Sequence, residues 1–151
     1  MSVYFFDSSV LTKRYLIETG TTWVLNTVAP NSGNHILIAQ LASVEVFSAI
    51  SRHKRENHIT ARTSRAIRMY LERHIYREYD VVVLSDLILQ VAQDLLDKHP
   101  LRAYDSVQLA SALDSNNRLL KAGLQSLIFV SADMRLNTVA ASEGLSTYVP
   151  V

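Results

Sequence analysis

Short apolar runs alternate along the chain with longer stretches in which apolar residues recur at helical spacing. Continuous apolar or β-prone runs are typical of strands buried in a parallel sheet, and they cover 2–6, 35–38, 80–84, 127–130 and 146–149. Helical spacing, cap residues and turn clusters predict helices over 8–17, 21–28, 40–53, 60–78, 86–98, 103–121 and 134–142. This alternation predicts an α/β domain with a central, mostly parallel sheet flanked by helices on both faces.

Length and composition narrow the class of protein further. The chain has 151 residues, of which 48% are hydrophobic and 19% charged, so we expect one domain spanning 1–151. The absence of cysteine excludes disulfides, thiolate metal sites and cysteine nucleophiles. No apolar run is long enough for a transmembrane helix, and the first residues lack the basic segment of a secretory signal. We therefore expect a soluble cytoplasmic protein.

The net charge of +1 is unevenly distributed. Residues 52–77 hold eight Lys or Arg and two Glu, a net charge of +6. The remainder holds seven Lys or Arg and twelve Asp or Glu, a net charge of −5. A basic stretch in an otherwise acidic chain indicates two surfaces with different partners. A solvated helix face explains the same pattern without a partner, and on charge alone it is the better interpretation.

Four acidic residues lie where chemistry is expected in such a fold. Ligands of open α/β sheets bind at the carboxyl ends of the strands. Asp7 directly follows the first predicted strand, and Asp133 follows the fourth strand by three residues. Asp105 opens the sixth predicted helix, and Glu45 lies on a largely apolar face of the third.

Each of these residues also has a purely structural interpretation. Asp7, Asp105 and Asp133 each precede a helical stretch, and Asp is a preferred N-cap residue, so a cap is the better interpretation of any one alone. A salt bridge at the helix edge is the corresponding interpretation of Glu45. Together, the four carboxylates could converge on one point, where Mg²⁺ or Mn²⁺ would supply the counter-charge that packed carboxylates need. Spacing alone leaves that convergence open.

Four segments of the sequence carry a more specific signal. They are Asp-Ser-Ser-Val-Leu-Thr-Lys-Arg-Tyr at 7–15 with Glu-Thr-Gly at 18–20, Ala-Ser-Val-Glu at 42–45, Leu-Arg-Ala-Tyr-Asp-Ser-Val-Gln-Leu-Ala-Ser-Ala at 101–112, and Phe-Val-Ser-Ala-Asp-Met-Arg-Leu at 129–136. In their content and order they resemble the motifs of PIN-domain proteins, in particular VapC-type toxins of type II toxin–antitoxin systems. The resemblance runs from Val3 to Pro150.

The resemblance implies a PIN-like α/β domain with endoribonuclease activity, in which metal-activated water hydrolyses RNA phosphodiester bonds. It implies that the catalytic residues, which also hold Mg²⁺ or Mn²⁺, are Asp7, Glu45, Asp105 and Asp133. Ser9 and Ser131 match small hydroxyl positions that support the acidic cluster in the family. A homodimer is implied, as is inhibition by a cognate VapB-type antitoxin. The antitoxin would be a separate chain that commonly blocks the acidic site with a basic side chain.

The basic stretch matches no motif of that family. As a surface for RNA it would contact phosphates through Arg62, Arg65 and Arg68. Tyrosines in the same stretch could stack on unpaired bases; these are Tyr70, Tyr76 and Tyr79. The stretch could equally form the dimer interface or the antitoxin surface.

Two other classes of function compete with the nuclease. An Asp after the first strand is also typical of aspartate-nucleophile phosphatases, but those folds generally have a second acid two residues later, where this chain has Ser9. A catalytically inactive RNA-binding or assembly module could share the PIN-like fold. The complete set of four acidic residues argues against an inactive module, and an activity assay separates the two.

Overall fold

Strands and helices alternate along the whole chain, as the apolar pattern predicts. A computed structural model describes residues 1–151. The strands are β1 Val3–Phe6, β2 His35–Ala39, β3 Tyr79–Val82, β4 Ile128–Val130 and β5 Ser146–Tyr148. The α-helices are α1 Ser8–Thr12, α2 Thr21–Thr27, α3 Ala42–Arg55, α4 Ala61–Arg77, α5 Asp86–Lys98, α6 Ala103–Lys121 and α7 Met134–Ser142, and a short 3₁₀ helix spans Pro30–Ser32.

The five strands form one sheet in the order β3-β2-β1-β4-β5. All four neighbouring pairs are parallel, which confirms the predicted sheet. Parallel neighbours need crossover connections, and each connection here contains at least one helix. The chain builds β2 and β3 on one side of β1 and then returns to build β4 and β5 on the other side.

The sheet has an apolar core on each face, because successive side chains of a strand point in opposite directions. Phe6 packs into one core with Val46 of α3 and Leu71 of α4. Phe5 packs into the other with Leu109 of α6 and with residues of α5 and α7. Each fully buried side chain of this size contributes roughly 1.5–3 kcal/mol, so the two cores fix the central strand β1 between the helical layers.

Most elements differ from their predicted bounds by one or two residues, and the helix predicted over 8–17 differs by five. The helix predicted over 8–17 ends at Thr12, because bonds between residues three apart replace the α-helical pattern there and turn the chain into a loop. The strand predicted over 80–84 is Tyr79–Val82, since its partner strand β2 ends at Ala39, which pairs with Val82. Tyr79 is consequently buried against the first core rather than exposed for base stacking, so that prediction was wrong.

Side-chain caps define the starts of two long helices. Thr60 caps α4 by accepting a bond from the Thr63 N–H, and Ser85 caps α5 by accepting from Ile88. The bounds of α6 and α7 coincide with the predicted helices. None of the helices is both long and apolar enough to cross a membrane.

Candidate functional site

The strand order reverses beside β1, and such a reversal opens a crevice at the carboxyl ends of the strands. Strands β1 and β4 are hydrogen-bonded neighbours, with Phe6 paired to Val130. The Asp7 N–H continues that ladder by donating to the Val130 carbonyl over 3.1 Å. The residues that follow the two strands are therefore adjacent in space, although they lie at opposite ends of the sequence.

A cleft of about 630 Å³ opens at this edge of the sheet. Its lining includes all four acidic residues that the sequence predicts, namely Asp7, Glu45, Asp105 and Asp133. They come from the end of β1, from α3, from α6 and from the start of α7. The four lie in one cleft, but no three His, Asp or Glu side chains are grouped tightly enough in this structure to hold a metal ion.

Asp7 is the most deeply buried of the four, with 4% of its surface exposed. Its Oδ1 accepts hydrogen bonds from the Ser9 hydroxyl at 2.6 Å and from the Val10 N–H at 3.1 Å. Its Oδ2 accepts from the Ser131 hydroxyl at 2.5 Å. The two serines predicted to support the acidic cluster thus both contact Asp7, one on each carboxylate oxygen.

The same two hydroxyls connect β1 to the turn after β4. The Ser9 hydroxyl accepts a hydrogen bond from the Ala132 N–H, and the Ser131 hydroxyl accepts one from the Asp133 N–H. Each of these bonds is 3.0 Å long. Each serine therefore donates to Asp7 and accepts from the backbone that carries Asp133. This network fixes the spacing between the first and last acidic segments of the sequence.

Glu45 is held by two neutral groups from other elements. The Ser8 hydroxyl donates to its Oε2 over 3.0 Å, and the Gln108 amide donates to its Oε1 over 2.7 Å. No cation pairs with Glu45, so the interpretation as a helix-edge salt bridge was wrong. Gln108 is buried and its own oxygen has no hydrogen-bond partner, an arrangement that costs free energy. The only bond its side chain makes positions Glu45.

The cap interpretation holds for two of the three aspartates. Asp7 caps α1, and Asp133 caps α7 by accepting bonds from Arg135 and Leu136 through Oδ1. Asp105 is not a cap, because Arg102 occupies that position and Asp105 lies in the first turn of α6. Capping and lining the cleft are compatible, since the second oxygen of Asp133 accepts no bond within the protein.

The electrostatics of the cleft disfavour ionised carboxylates. The pKa of Asp7 is raised from 3.8 to about 6, mainly by burial and in small part by the nearby Asp105, against the opposing effect of its hydrogen bonds. Burial also raises the pKa of Glu45, and Asp105 adds to that shift. The pKa of Asp105 is raised by burial and then by the charge of Asp133.

None of the four carboxylates takes part in an ion pair. Carboxylate and hydroxyl oxygens are the ligands that hard divalent cations prefer. By its chemistry the donor set therefore fits Mg²⁺ or Mn²⁺. The residues that would hold the ion are Asp7, Glu45, Asp105 and Asp133, whose side chains would have to move closer together to coordinate it.

The cleft also contains residues that the sequence analysis did not single out for function. Four basic side chains line it, and these are Lys13, Arg52, His53 and Arg102. Tyr104, 62% exposed, and Glu18 line it as well. Most of them lie within or beside the motifs at 7–20 and 101–112, which is the signal that could have identified them.

The predicted RNA contacts on the basic stretch lie elsewhere. Arg62, Arg65 and Arg68 are exposed on α4 and do not line the cleft. Arg68 pairs with Glu72 at 3.2 Å and lies 4.9 Å over the ring of Phe47. Only Arg52 and His53, at the start of the basic stretch, reach the cleft. The role of the α4 arginines stays a prediction.

A scan against protein-family models and a search of curated proteins found no match to this sequence. The fold, in contrast, matches solved structures over almost its whole length, and several of those structures are described as toxins or toxin–antitoxin complexes. This chain has the fold of those structures, which is the PIN-like α/β fold that the sequence motifs imply.

Three of the matching structures illustrate the likeness. The structure of FitAcB from Neisseria gonorrhoeae is 10% identical, with 97% of each chain covered and a TM-score of 0.68. VapBC2 from Rickettsia felis, bound to a promoter DNA fragment, is 10% identical, with 97% of this chain and 98% of that chain covered and a TM-score of 0.65. VapC20 from Mycobacterium tuberculosis, described as a sarcin–ricin loop cleaving toxin, is 14% identical, with 94% of this chain and 95% of that chain covered and a TM-score of 0.59.

Proposed function

We propose that this protein is a metal-dependent endoribonuclease of the toxin–antitoxin type. The observation that carries the proposal is the cleft whose lining includes four carboxylates from four separate elements, none of which forms an ion pair. Such a concentration of negative charge is costly in a protein that binds no cation there. The likeness of the fold to toxin–antitoxin structures supports the same function.

The chain's own residues prepare the cleft for phosphodiester hydrolysis. Ser9 and Ser131 hold both oxygens of Asp7, and Ser8 and Gln108 hold both oxygens of Glu45. These bonds restrict the rotation of two carboxylates, so little ordering is needed when a substrate enters. The carboxylate of Asp105 and the second carboxylate oxygen of Asp133 accept no hydrogen bond within the protein and remain available in the cleft. A divalent cation would supply Lewis-acid activation of water and stabilisation of the charge that develops on the phosphate.

The proposal is tested by incubating purified protein with a labelled pool of total RNA. Parallel reactions contain Mg²⁺, Mn²⁺ or EDTA. We expect discrete cleavage products with a divalent cation and none with EDTA. A neutral amide lacks the negative charge with which a carboxylate would bind the cation. Asp7→Asn and Asp105→Asn should therefore each lower the cleavage rate by roughly 100-fold or more.

Asp94→Asn is the matched control, since Asp94 is exposed on α5, outside the cleft. It should cleave like the wild type. Unchanged cleavage by purified Asp7→Asn protein would contradict the assignment of the site. A folded wild-type protein that cuts in no reaction would favour the inactive RNA-binding module instead.

We also propose a basic protein segment, supplied by an antitoxin chain, as the natural inhibitor of this cleft. Its unpaired carboxylates offer such a segment direct ion pairs, and the matching structures include toxin–antitoxin complexes. Co-expression with any small reading frame that adjoins this gene, followed by co-purification, tests the partner. The homodimer and the cytoplasmic location stay predictions, and light scattering of the purified chain measures the first.

A further inference from the structure

The loop between α1 and α2 brings a basic side chain into the acidic cleft. Lys13, directly after α1, lines the cleft together with the four carboxylates. The other basic residues of the lining, Arg52, His53 and Arg102, are exposed or half-buried, whereas the Lys13 side chain is only 8% exposed. Lys13 is therefore the one cation built into the wall of the cleft rather than placed on its rim.

Lys13 pairs with Glu18 instead of with the catalytic candidates. Its Nζ lies 3.2 Å from Glu18 Oε2, and it forms no ion pair with Asp7, Glu45, Asp105 or Asp133. The Glu18 side chain is 38% exposed, so the partner of the buried ammonium is itself open to solvent. Because the ammonium is buried, losing Glu18 alone would leave an unpaired charge, but an anion that enters the cleft can take the place of Glu18 and keep that charge paired. The carboxylate of Glu18 is already open to solvent and is hydrated when it is displaced.

The loop is constructed to keep Glu18 opposite Lys13. The Thr21 hydroxyl accepts a bond from the Glu18 N–H over 2.9 Å and donates to the Lys13 carbonyl over 2.8 Å. Gly20, next to Thr21, has φ of +93°, and a Cβ there would lie 2.8 Å from the Pro150 carbonyl oxygen. The backbone of the loop is thus fixed by hydrogen bonds and by a glycine at a close contact, whereas the Glu18 carboxylate is bonded only to Lys13.

We propose that Lys13 binds a phosphate of the RNA backbone beside the carboxylate cluster, and that Glu18 occupies Lys13 until RNA replaces it. The proposal rests on RNA as the substrate of the cleft. A lysine ammonium suits this role, because it is a compact point charge with three donors and commonly binds phosphate. The buried stem leaves the ammonium few orientations, so the phosphate is held at one place relative to the carboxylates.

A purely structural role for the pair makes a different prediction. If Lys13 and Glu18 only clamp the loop, removing either charge breaks the same ion pair, and both changes should weaken RNA binding alike or leave it unchanged. If Lys13 binds phosphate, only its removal weakens RNA binding, and the loss of the Glu18 charge leaves binding as tight or makes it tighter. Lys13→Met removes the contact, whereas Glu18→Gln frees Lys13 and removes a negative charge from the cleft.

The experiment measures binding of a fluorescein-labelled, unstructured single-stranded RNA by anisotropy, in EDTA so that no cleavage occurs. The proteins are the wild type, Lys13→Met, Lys13→Arg and Glu18→Gln. Lys98→Met is the matched control, since Lys98 is exposed at the end of α5 and outside the cleft. Each titration is repeated over a series of KCl concentrations, and thermal unfolding checks that each variant is folded.

We expect Lys13→Met to weaken binding by roughly tenfold at low salt and to lower the steepness of log K against log[KCl] by about 0.7, the value for one phosphate contact on a single strand. Lys13→Arg should retain the salt dependence, Glu18→Gln should bind as tightly as the wild type or tighter, and Lys98→Met should resemble the wild type. Equal weakening by Lys13→Met and Glu18→Gln, or an unchanged salt dependence in Lys13→Met, would overturn the proposal. So would a wild-type protein that does not bind this RNA.

A parallel cleavage assay separates this proposal from the proposed nuclease. Asp105→Asn should lose cleavage and keep the salt dependence of binding, whereas Lys13→Met should change the salt dependence. A wild-type protein that binds RNA through Lys13 but never cleaves it would refute the nuclease and support the phosphate contact. A wild-type protein that cleaves RNA, with Lys13→Met unchanged in binding and in cleavage, would refute the phosphate contact alone.

Discussion

At the scale of single residues, Asp7 combines three roles that usually fall to different side chains. It extends the backbone ladder of β1, caps α1, and presents a buried carboxylate to the cleft. Two serine hydroxyls and one N–H compensate part of the cost of burying its charge. The remaining cost lowers the free energy of unfolding. A bound cation, or a neutral side chain in place of Asp7, would remove that cost.

This cost predicts that Asp7→Asn stabilises the metal-free protein at pH 8. Burial raises the pKa of Asp7 to about 6, above the 3.8 of an unfolded chain. A carboxyl group with a raised pKa favours the fold below about pH 4, and this contribution is lost as the pH rises through 6. At pH 8 the wild type therefore carries a buried charge that Asn lacks.

Urea unfolding in EDTA at pH 8 and pH 4 measures the difference. The free energy of unfolding of Asp7→Asn should exceed that of the wild type at pH 8, and the gap should shrink at pH 4. Equal gaps at the two pH values would show that the buried charge is not the cause.

At the scale of elements, the sequence predicted the strand ends better than the contacts between elements. Asp7 and Asp133 could be placed because an apolar run that stops at an acidic residue marks the carboxyl edge of a sheet. Glu45 was harder to interpret, since its partners Ser8 and Gln108 come from α1 and α6 and no local spacing relates them. The pairing of Lys13 with Glu18 depends likewise on the turn after Thr12, where helical spacing predicted continued helix.

The loop after α1 gives a prediction at this scale. Gly20→Ala should destabilise the fold by about 1–3 kcal/mol, because it adds strain at a positive φ to a Cβ only 2.8 Å from a backbone oxygen. Gly33→Ala is the matched control, since Gly33 has φ of +70° but nothing within 4 Å of its added Cβ. Urea unfolding should show a smaller cost for Gly33→Ala. Equal costs would mean that the contact with Pro150 gives way easily.

At the scale of the whole molecule, one sheet places segments from both ends of the sequence side by side. The central strand β1 lies between β2 and β4, and the cleft opens where β1 meets β4. The two helical layers hold these strands from both faces, so the four carboxylates are supported by the entire fold rather than by one motif. Stability and the proposed metal binding should therefore depend on each other.

This coupling predicts that Mg²⁺ or Mn²⁺ raises the thermal unfolding temperature of the wild type. A ligand that binds only the folded state stabilises it by about 2.7 kcal/mol at a hundred times its dissociation constant. Asp105→Asn should lose most of this increase, because its carboxylate would be a ligand, whereas Asp94→Asn should keep it. Differential scanning fluorimetry with and without EDTA measures the shift. An equal shift in all three proteins would place the cation outside the cleft.

The pairing of β1 with β4 also has a consequence for the order of events during translation. Asp7 and β1 leave the ribosome early, but β4, Ser131 and Asp133 follow only after the intervening helices have been made. A nascent chain that stops short of β4 has no partner for one side of β1 and no hydroxyl from Ser131 for Asp7. If the proposed function is correct, an unfinished chain lacks the assembled site and should not cleave the RNA of the ribosome that is making it.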